Sequence, residues 1–91
     1  MKKLEFQGIS LVRLCVDERL ADVLLSNPLG FDQTISSSNG ETFIDLSIHL
    51  TDELIHWIQC MGSDIEVIHP PGLRELIRNM LEKTIHKYRL V

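Results

Sequence analysis

The dipeptide Asn39-Gly40 stands between two short segments in which apolar and polar residues alternate. Both residue types readily adopt the left-handed backbone conformation of a two-residue hairpin turn, so the dipeptide is a strong signal for a β-hairpin. We therefore predict strands over Phe31–Ser37 and Thr42–Leu50. Alternation places the isoleucines and leucines of the second strand on one face, which other parts of the chain must cover.

A strand and a helix precede this hairpin. The run ISLVRLCV, Ile9–Val16, alternates as a strand with one strongly apolar face. Asp17 is a suitable N-cap for the helix that follows, and Asn27-Pro28 ends that helix because the residue before proline avoids the α region. The apolar residues expected on its buried stripe are Leu20, Ala21, Val23, Leu24 and Leu25.

A helix and a strand follow the hairpin. Thr51 or Asp52 caps the second helix, and Gly62 stands where a left-handed residue would close it. Trp57 flanks the apolar stripe of this helix, so we expect its ring to be at least partly buried. Residues 64–69, with the sequence DIEVIH, form a short fourth strand.

A third helix begins at Pro70-Pro71, because proline suits the first turn of a helix. Its apolar residues recur at helical spacing over somewhat more than four turns, which is longer than completion of the core requires. We therefore expect this helix or the open sheet face to mediate self-association into a homodimer. The residues on the stripe are Leu73, Leu76, Ile77, Met80, Leu81, Thr84 and Tyr88.

The order of elements is β-α-β-β-α-β with an extra C-terminal helix. This order predicts an α+β, ferredoxin-like sandwich, in which two helices cover one face of an antiparallel four-stranded sheet. The predicted strand order is 4-1-3-2. We assign residues 9–91 to this single domain and residues 1–8 to a linker remnant or tail. The fold hosts many functions, so function must be argued from its sites.

Charge and cysteine content limit the classes of function. The 91 residues include nine Lys and Arg against thirteen Asp and Glu, a formal net charge of −4. Nucleic-acid affinity needs a basic face, so we expect no direct DNA binding by this module alone. The chain shows neither a transmembrane run nor a signal peptide, which indicates a cytoplasmic protein without membrane contact. We expect Cys15 and Cys60 to be reduced, buried thiols.

The residues that carry catalytic or metal chemistry are sparse. His56 and Cys60 lie four positions apart on one helix, as a pair of metal ligands would, but the sequence offers no second pair at ligand spacing. Serines 36–38 lie at the hairpin tip, where turn chemistry explains them. No glycine-rich phosphate loop is present. We predict no enzymatic activity, no catalytic residues, no metal site and no cofactor.

Four residues are candidate effector or interface contacts. Arg13 and His49 should lie on the sheet face away from the helices, where the alternatives are solvent, a protein or a small polar ligand. Phe43 is the only aromatic residue on that face on which a base could stack. Arg74 opens the last helix, where a cation opposes the helix dipole, so a ligand, an intersubunit ion pair or simple solvation are the alternatives. Arg78 follows one helical turn later.

The second half of the chain carries a recognisable succession: a helix with a tryptophan, a glycine, a short strand and a Pro-Pro-x-Leu-Arg-Glu run. Over about residues 11–89 the sequence resembles the C-terminal extension, or WCX domain, of bacterial transcriptional regulators that contain a WYL domain. The residues that carry the resemblance are Leu54-Ile55-x-Trp57, Gly62, Ile65-x-Val67-Ile68, Pro70-Pro71-x-Leu73-Arg74-Glu75 and, upstream, Val12-Arg13-Leu14, Gln33 and Asn39-Gly40.

The resemblance implies a regulatory, effector-sensing and dimerisation module of a larger protein. The full-length regulator would contain helix-turn-helix and WYL domains, and its effector would be a nucleotide or a nucleic-acid fragment. The alternative is a small-molecule-binding regulatory domain of the ACT type, which shares the βαββαβ order. A third reading, an enzyme of the acylphosphatase type, needs a phosphate-cradling loop after the first strand, where Asp17 and Glu18 would instead repel phosphate.

Overall fold

A computed structural model describes residues 8–89 and confirms the order β-α-β-β-α-β with an extra C-terminal helix. Of the predicted linker or tail at residues 1–8, only Gly8 falls within the described residues. A short 3₁₀ turn at Gly62–Asp64 precedes the last strand. The elements are β1 (Ile9–Val16), α1 (Glu18–Ser26), β2 (Thr34–Ser38), β3 (Glu41–His49), α2 (Asp52–Cys60), β4 (Ile65–His69) and α3 (Pro71–Arg89).

The four strands form one antiparallel sheet in the order β2-β3-β1-β4, which confirms the predicted order read from the opposite edge. The two central strands pair along their whole length, so that Val12 lies opposite Leu46 and Leu14 lies opposite Ile44. These apolar pairs share one face of the sheet. Strands β2 and β4 are the edges, and β4 is paired within the sheet to β1 only.

The hairpin between β2 and β3 turns at Asn39-Gly40, as predicted. Both residues have positive φ, 52° for Asn39 and 79° for Gly40, which is the conformation of a two-residue primed turn. Strand pairing begins directly beside the turn, where Ser38 lies opposite Glu41. The dipeptide therefore sets the register of both strands.

The predicted start of β2 at Phe31 is wrong, because the strand begins at Thr34. Phe31 lies in a turn and its side chain is fully exposed. A polar side chain, that of Gln33, anchors the segment that precedes the strand. The amide of Gln33 donates to the carbonyl of Leu24 at 2.8 Å and its oxygen accepts from the backbone of Leu29 at 3.0 Å, so this side chain fastens the connection to the end of α1.

One hydrophobic core lies between the sheet and the helices. Trp57 is half-buried against this core, as predicted. Leu20, Ala21 and Leu24 are the core residues of α1, whereas Val23 and Leu25 are exposed, so the predicted stripe of this helix was too broad. The buried residues are Val12, Leu14, Val16, Ile44, Leu46, Leu50, Ile65 and Val67 on or next to the strands, with Leu20, Ala21, Leu24, Leu54, Ile55, Ile58, Leu73 and Ile77 on the helices.

Side-chain caps fix where the first two helices begin. The carboxylate of Asp17 accepts a 2.8 Å hydrogen bond from the backbone of Leu20. The hydroxyl of Thr51 accepts one of 3.1 Å from the backbone of Leu54, so Thr51 is the N-cap of α2. Gly62 follows the end of α2 with a φ of 58°, the left-handed conformation predicted for this position.

Helix α3 is buried over its first half and exposed over its second half. Leu73 and Ile77 belong to the core, and the helix packs beside the edge strand β4. Further along the same helix, Leu81, Ile85 and Tyr88 remain 50%, 44% and 78% exposed. The core therefore uses only the first part of the long apolar stripe, and the second part extends past it.

Candidate functional site

A groove of about 190 Å³ lies where α2, β4 and α3 meet. Its floor is apolar, because it is formed by core side chains and by Leu81, which begins the exposed half of α3. Its rim is polar and carries two of the predicted contact residues, Arg74 and Arg78. The lining residues are Ile58, Gln59, Gly62, Ile65, Glu66, Val67, Arg74, Ile77, Arg78 and Leu81.

Arg74 links α3 to β4 at this rim. One guanidinium nitrogen, Nη1, lies 2.7 Å from a carboxylate oxygen of Glu66 and donates to the carbonyl of Val67, also at 2.7 Å. The cation near the start of a helix, which the dipole disfavours, is therefore offset by a carboxylate and a carbonyl of the neighbouring strand. Both partners of Arg74 lie in its own chain.

Arg78 is the centre of a charge cluster along α3. Its guanidinium bonds Glu75 through Nε at 3.2 Å and Nη2 at 3.1 Å, and it bonds Glu82 through Nη1. The hydrogen bond and the charge of Arg78 lower the pKa of Glu75, and the same contacts raise the pKa of Arg78. Spacings of three and four residues bring these groups together on one helix face.

The groove combines an apolar floor with a rim on which the arginines are paired with carboxylates of the same chain. Two guanidinium groups face three carboxylates, those of Glu66, Glu75 and Glu82. A phosphate placed here would compete with those carboxylates for each arginine. An apolar side chain or an apolar ligand would instead bury surface without breaking an ion pair.

The opposite, open face of the sheet carries the other two predicted contact residues. The guanidinium of Arg13 lies 3.1 Å from the carboxylate of Asp45 on the neighbouring strand and 4.2 Å from the centre of the Phe43 ring. This cation–π contact covers one side of the ring, the surface on which a base would stack. His49 is exposed at the end of β3, opposite Ile9 and four β1 positions from Arg13. Thus the structure joins Arg74 and Arg78 in one groove and leaves Arg13 and His49 apart on the open face.

Both cysteines are free, but the prediction that they are buried is wrong. Cys60 is exposed, and its Sγ lies 3.5 Å from Nε2 of His56. Cys15 is half-buried on the open sheet face, where its thiol donates to a carboxylate oxygen of Glu41 at 3.2 Å. Burial first, and then Glu41, raise the pKa of Cys15. Across residues 8–89, no group of three or more His, Cys, Asp or Glu is arranged to hold a metal ion.

The sequence did not predict the groove, although it contained part of the signal. The stripe on α3 is longer than a helix covering a short strand needs, and this excess is what the structure leaves bare. The groove itself depends on how α2 approaches α3, which follows from packing of the whole domain. Ile58 and Ile65, 7 positions apart in sequence, come together in the lining of the groove only in three dimensions.

The architecture is a ferredoxin-like sandwich extended by one C-terminal helix. The family described as WCX domain matches residues 10–85, and the chain belongs to this family. Membership supports a regulatory C-terminal module of WYL-type regulators. Comparison with curated proteins gives no match. Over residues 8–89, no helix has both the length and the apolar character needed to cross a membrane.

Proposed function

We propose that the chain is the C-terminal regulatory module of a WYL-type bacterial transcription regulator, and that it holds two copies of the regulator together in the cytoplasm. The family match supports the first part of this proposal. In the full-length protein, a helix-turn-helix domain binds DNA, and a WYL domain lies between that domain and this module. Two DNA-binding domains that recognise paired half-sites need a dimer interface that fixes their spacing, and two-fold symmetry is the usual geometry.

The observation that carries the dimerisation role is the bare second half of α3. Leu81, Ile85 and Tyr88 lie on one side of this helix and are each at least 44% exposed. Continuous exposed apolar surface of this kind marks interaction sites on soluble domains. A second copy that covered these side chains would remove their apolar area from water, which is the main favourable term in association.

We propose that this module does not contact DNA directly. The net charge of −4 opposes a polyanion. Moreover, Arg13, Arg74 and Arg78 each form an ion pair with a carboxylate of the same chain. We therefore assign DNA binding to the other domains.

Sedimentation velocity on the isolated chain tests the dimerisation role. We expect a dimer at tens of micromolar that shifts toward monomer when Leu81 and Ile85 are both changed to Gln. The matched control is Leu25→Gln, which removes an apolar side chain that is 70% exposed on α1 and should leave the dimer intact. Equal loss in the control and the α3 variant would argue against a role for α3.

Effector binding in the groove is a second candidate function, favoured by its apolar floor. Isothermal titration calorimetry with AMP and with leucine separates the alternatives. Binding of AMP that is lost in Arg74→Ala supports a nucleotide effector. Binding of leucine alone supports the ACT-like alternative. Heats equal to dilution for both would argue against these two effector classes.

We also propose that the module is not an enzyme. The described residues bring Cys60 beside His56 on an exposed helix end and Cys15 beside the carboxylate of Glu41 on the open sheet face. A working pair needs a third group to orient the base and donors to stabilise the developing charge. Turnover of acetyl phosphate that disappears in Cys60→Ser would contradict this proposal.

A further inference from the structure

We propose that two copies pair through α3 in an antiparallel, two-fold arrangement centred on Leu81, each placing the second half of its helix in the groove of the other. This inference rests on the proposed function, because it names the surface through which the two copies are joined.

The groove and the bare half of α3 form one continuous surface. Arg74, Leu81 and Tyr88 are spaced by seven residues, so they lie on nearly the same line along the helix. Along the first half of this line, α2 and β4 rise beside the helix and form the groove. Along the second half the apolar side chains stay exposed, at 44% for Ile85 and 78% for Tyr88. Leu81 belongs to both halves, because it lines the groove and is also 50% exposed.

The spacing makes this surface complementary to itself. Leu81 is midway between Arg74 and Tyr88, and at 1.5 Å per residue each interval is roughly 10 Å. When a second helix runs antiparallel with its Leu81 opposite the first, its bare half lies along the groove half of its partner. Ile85 then meets Ile77 of the second copy, and the Tyr88 ring reaches Arg74, a favourable ring–guanidinium contact.

The charges beside this line select the antiparallel direction. Glu75, Arg78, Glu82 and Arg89 follow one another on the same flank of the helix at spacings of three, four and seven residues. With Leu81 on the axis, Glu75 lies level with Lys87 of the second copy and Arg78 lies level with Thr84. Arg89 and Glu82 of the second copy are each two residues, roughly 3 Å, from these levels, an offset that the long side chains can span. In a parallel two-fold pair the same flank of the two helices lies on opposite sides, so these charges would not meet one another. The antiparallel direction is therefore the one in which this flank meets its own copy, with Glu75 near Arg89 and Arg78 near Glu82.

The other exposed apolar surface is less suited to a second copy. Ile9 and Leu11 on the open sheet face are 66% and 70% exposed. Next to them, however, Arg13 and Asp45 are already paired with each other and are about two-fifths exposed, so covering them would remove a wet ion pair from water. On α3 the ion pairs of Arg78 with Glu75 and Glu82 lie to one side of the apolar line, where they can stay in water at the rim of the interface while the apolar line is covered.

Cysteine cross-linking tests the two-fold position of Leu81. In a background with Cys15→Ser and Cys60→Ser, a Leu81→Cys variant should form a disulfide-linked dimer on mild oxidation, because the two thiols face each other across the axis. The matched control is Asn79→Cys, an exposed residue on the far side of the same helix. We expect little cross-linked dimer from this control.

A charge exchange tests the direction of pairing. Glu75→Lys and Arg89→Glu should each weaken the dimer roughly three- to tenfold, because each variant places like charges at two symmetry-related contacts. The double variant should recover most of the affinity, since it restores opposite charges. Circular dichroism of every variant shows that the domain still folds.

The outcomes separate this inference from the function on which it rests. A single species near 10.4 kDa at tens of micromolar would contradict both the dimerisation role and the α3 pairing. A dimer in which Asn79→Cys cross-links as well as Leu81→Cys, or in which the double charge variant is no tighter than the singles, would leave the dimerisation role standing and overturn the α3 pairing.

Discussion

Arg74 on α3 donates a 2.7 Å hydrogen bond to the carbonyl of Val67 on the edge strand β4. An edge strand presents backbone groups that no neighbouring strand pairs, and these attract other chains. Arg74 uses one such carbonyl and also meets the Glu66 carboxylate. The same residue therefore fastens the extra helix to the sheet and forms part of the groove rim.

The first prediction is that Arg74→Ala destabilises the domain. Loss of the guanidinium removes a charge-assisted hydrogen bond and an ion pair, so the free energy of unfolding should fall by about 1–2 kcal/mol. Urea denaturation at low protein concentration measures this change in the monomer. The control is Arg78→Ala, whose partners are both more than half exposed and which should cost less than Arg74→Ala. Equal losses in the two variants would show that the contact with Val67 adds nothing.

The partner of Arg74 could not be predicted from the sequence. The sequence predicts a cation near the start of a helix and leaves solvent, a ligand or another subunit as its possible partner. The acceptors lie seven and eight positions earlier, on β4, and they come within reach only because α3 folds back beside that strand. The same limitation applies to the apolar stripe, because periodicity predicts its position on the helix but not how far along the helix the core extends.

The second prediction concerns the hairpin turn. Gly40→Ala should lower the free energy of unfolding by about 1–2 kcal/mol, because an L-residue at a φ of 79° is strained. A Cβ at this position would meet nothing within 4 Å, so steric clash does not contribute to the expected cost. Thermal unfolding compared with Ser38→Ala, at the neighbouring strand end, measures the effect. A change no larger than that of the control would mean that the turn does not require positive φ here.

The hairpin and the preceding loop show how well local signals predict this fold. Asn39-Gly40 and the alternation around it predicted two strands, their turn and, with the helices, the order of the sheet. The start of β2 was mispredicted because Phe31 has high strand propensity, and the residues that override it act through distant contacts. Gln33 bonds back to α1, and Asp32 reaches across to β3, 15 positions later. No local pattern encodes such pairs.

The third prediction follows from Asp32. Its carboxylate accepts hydrogen bonds from the backbone N–H of Ser47 at 3.1 and 3.2 Å, and these bonds lower the pKa of Asp32 in the folded chain. A group with a lowered folded pKa stabilises the fold above its unfolded value, and this contribution is lost as the pH falls toward the folded value. The loss should therefore begin near pH 4, the ordinary pKa of an aspartate, and continue below it.

Urea unfolding at pH 7 and pH 3 checks this expectation. The wild-type chain should lose more stability between the two pH values than Asp32→Asn does, because the amide cannot titrate. Asp22→Asn, at an exposed position on α1, serves as the control and should follow the wild-type chain. If Asp32→Asn and the wild-type chain show the same pH dependence, the contact with Ser47 does not contribute in solution.

The fourth prediction concerns the two thiols. Burial, the hydrogen bond to Glu41 and the charge of Glu41 all raise the pKa of Cys15, and only the thiolate reacts with a disulfide reagent. At pH 8, DTNB should therefore label the exposed Cys60 first and the half-buried Cys15 more slowly. Single variants, Cys15→Ser and Cys60→Ser, identify which residue gives each phase.

Replacing the carboxylate beside Cys15 tests the cause of this difference. Glu41→Gln removes the negative charge that disfavours the thiolate, so the slow labelling phase should accelerate and its pH midpoint should move downward. The phase of Cys60 should not change. Cys60 lies beside His56 at the end of α2, whereas Cys15 and Glu41 lie on the open face of the sheet. If Cys15 labels at the same rate with Glu or Gln at position 41, burial alone controls the thiol. An equal acceleration of both phases would instead indicate a loosened fold, which circular dichroism and the urea midpoint of the variant would detect.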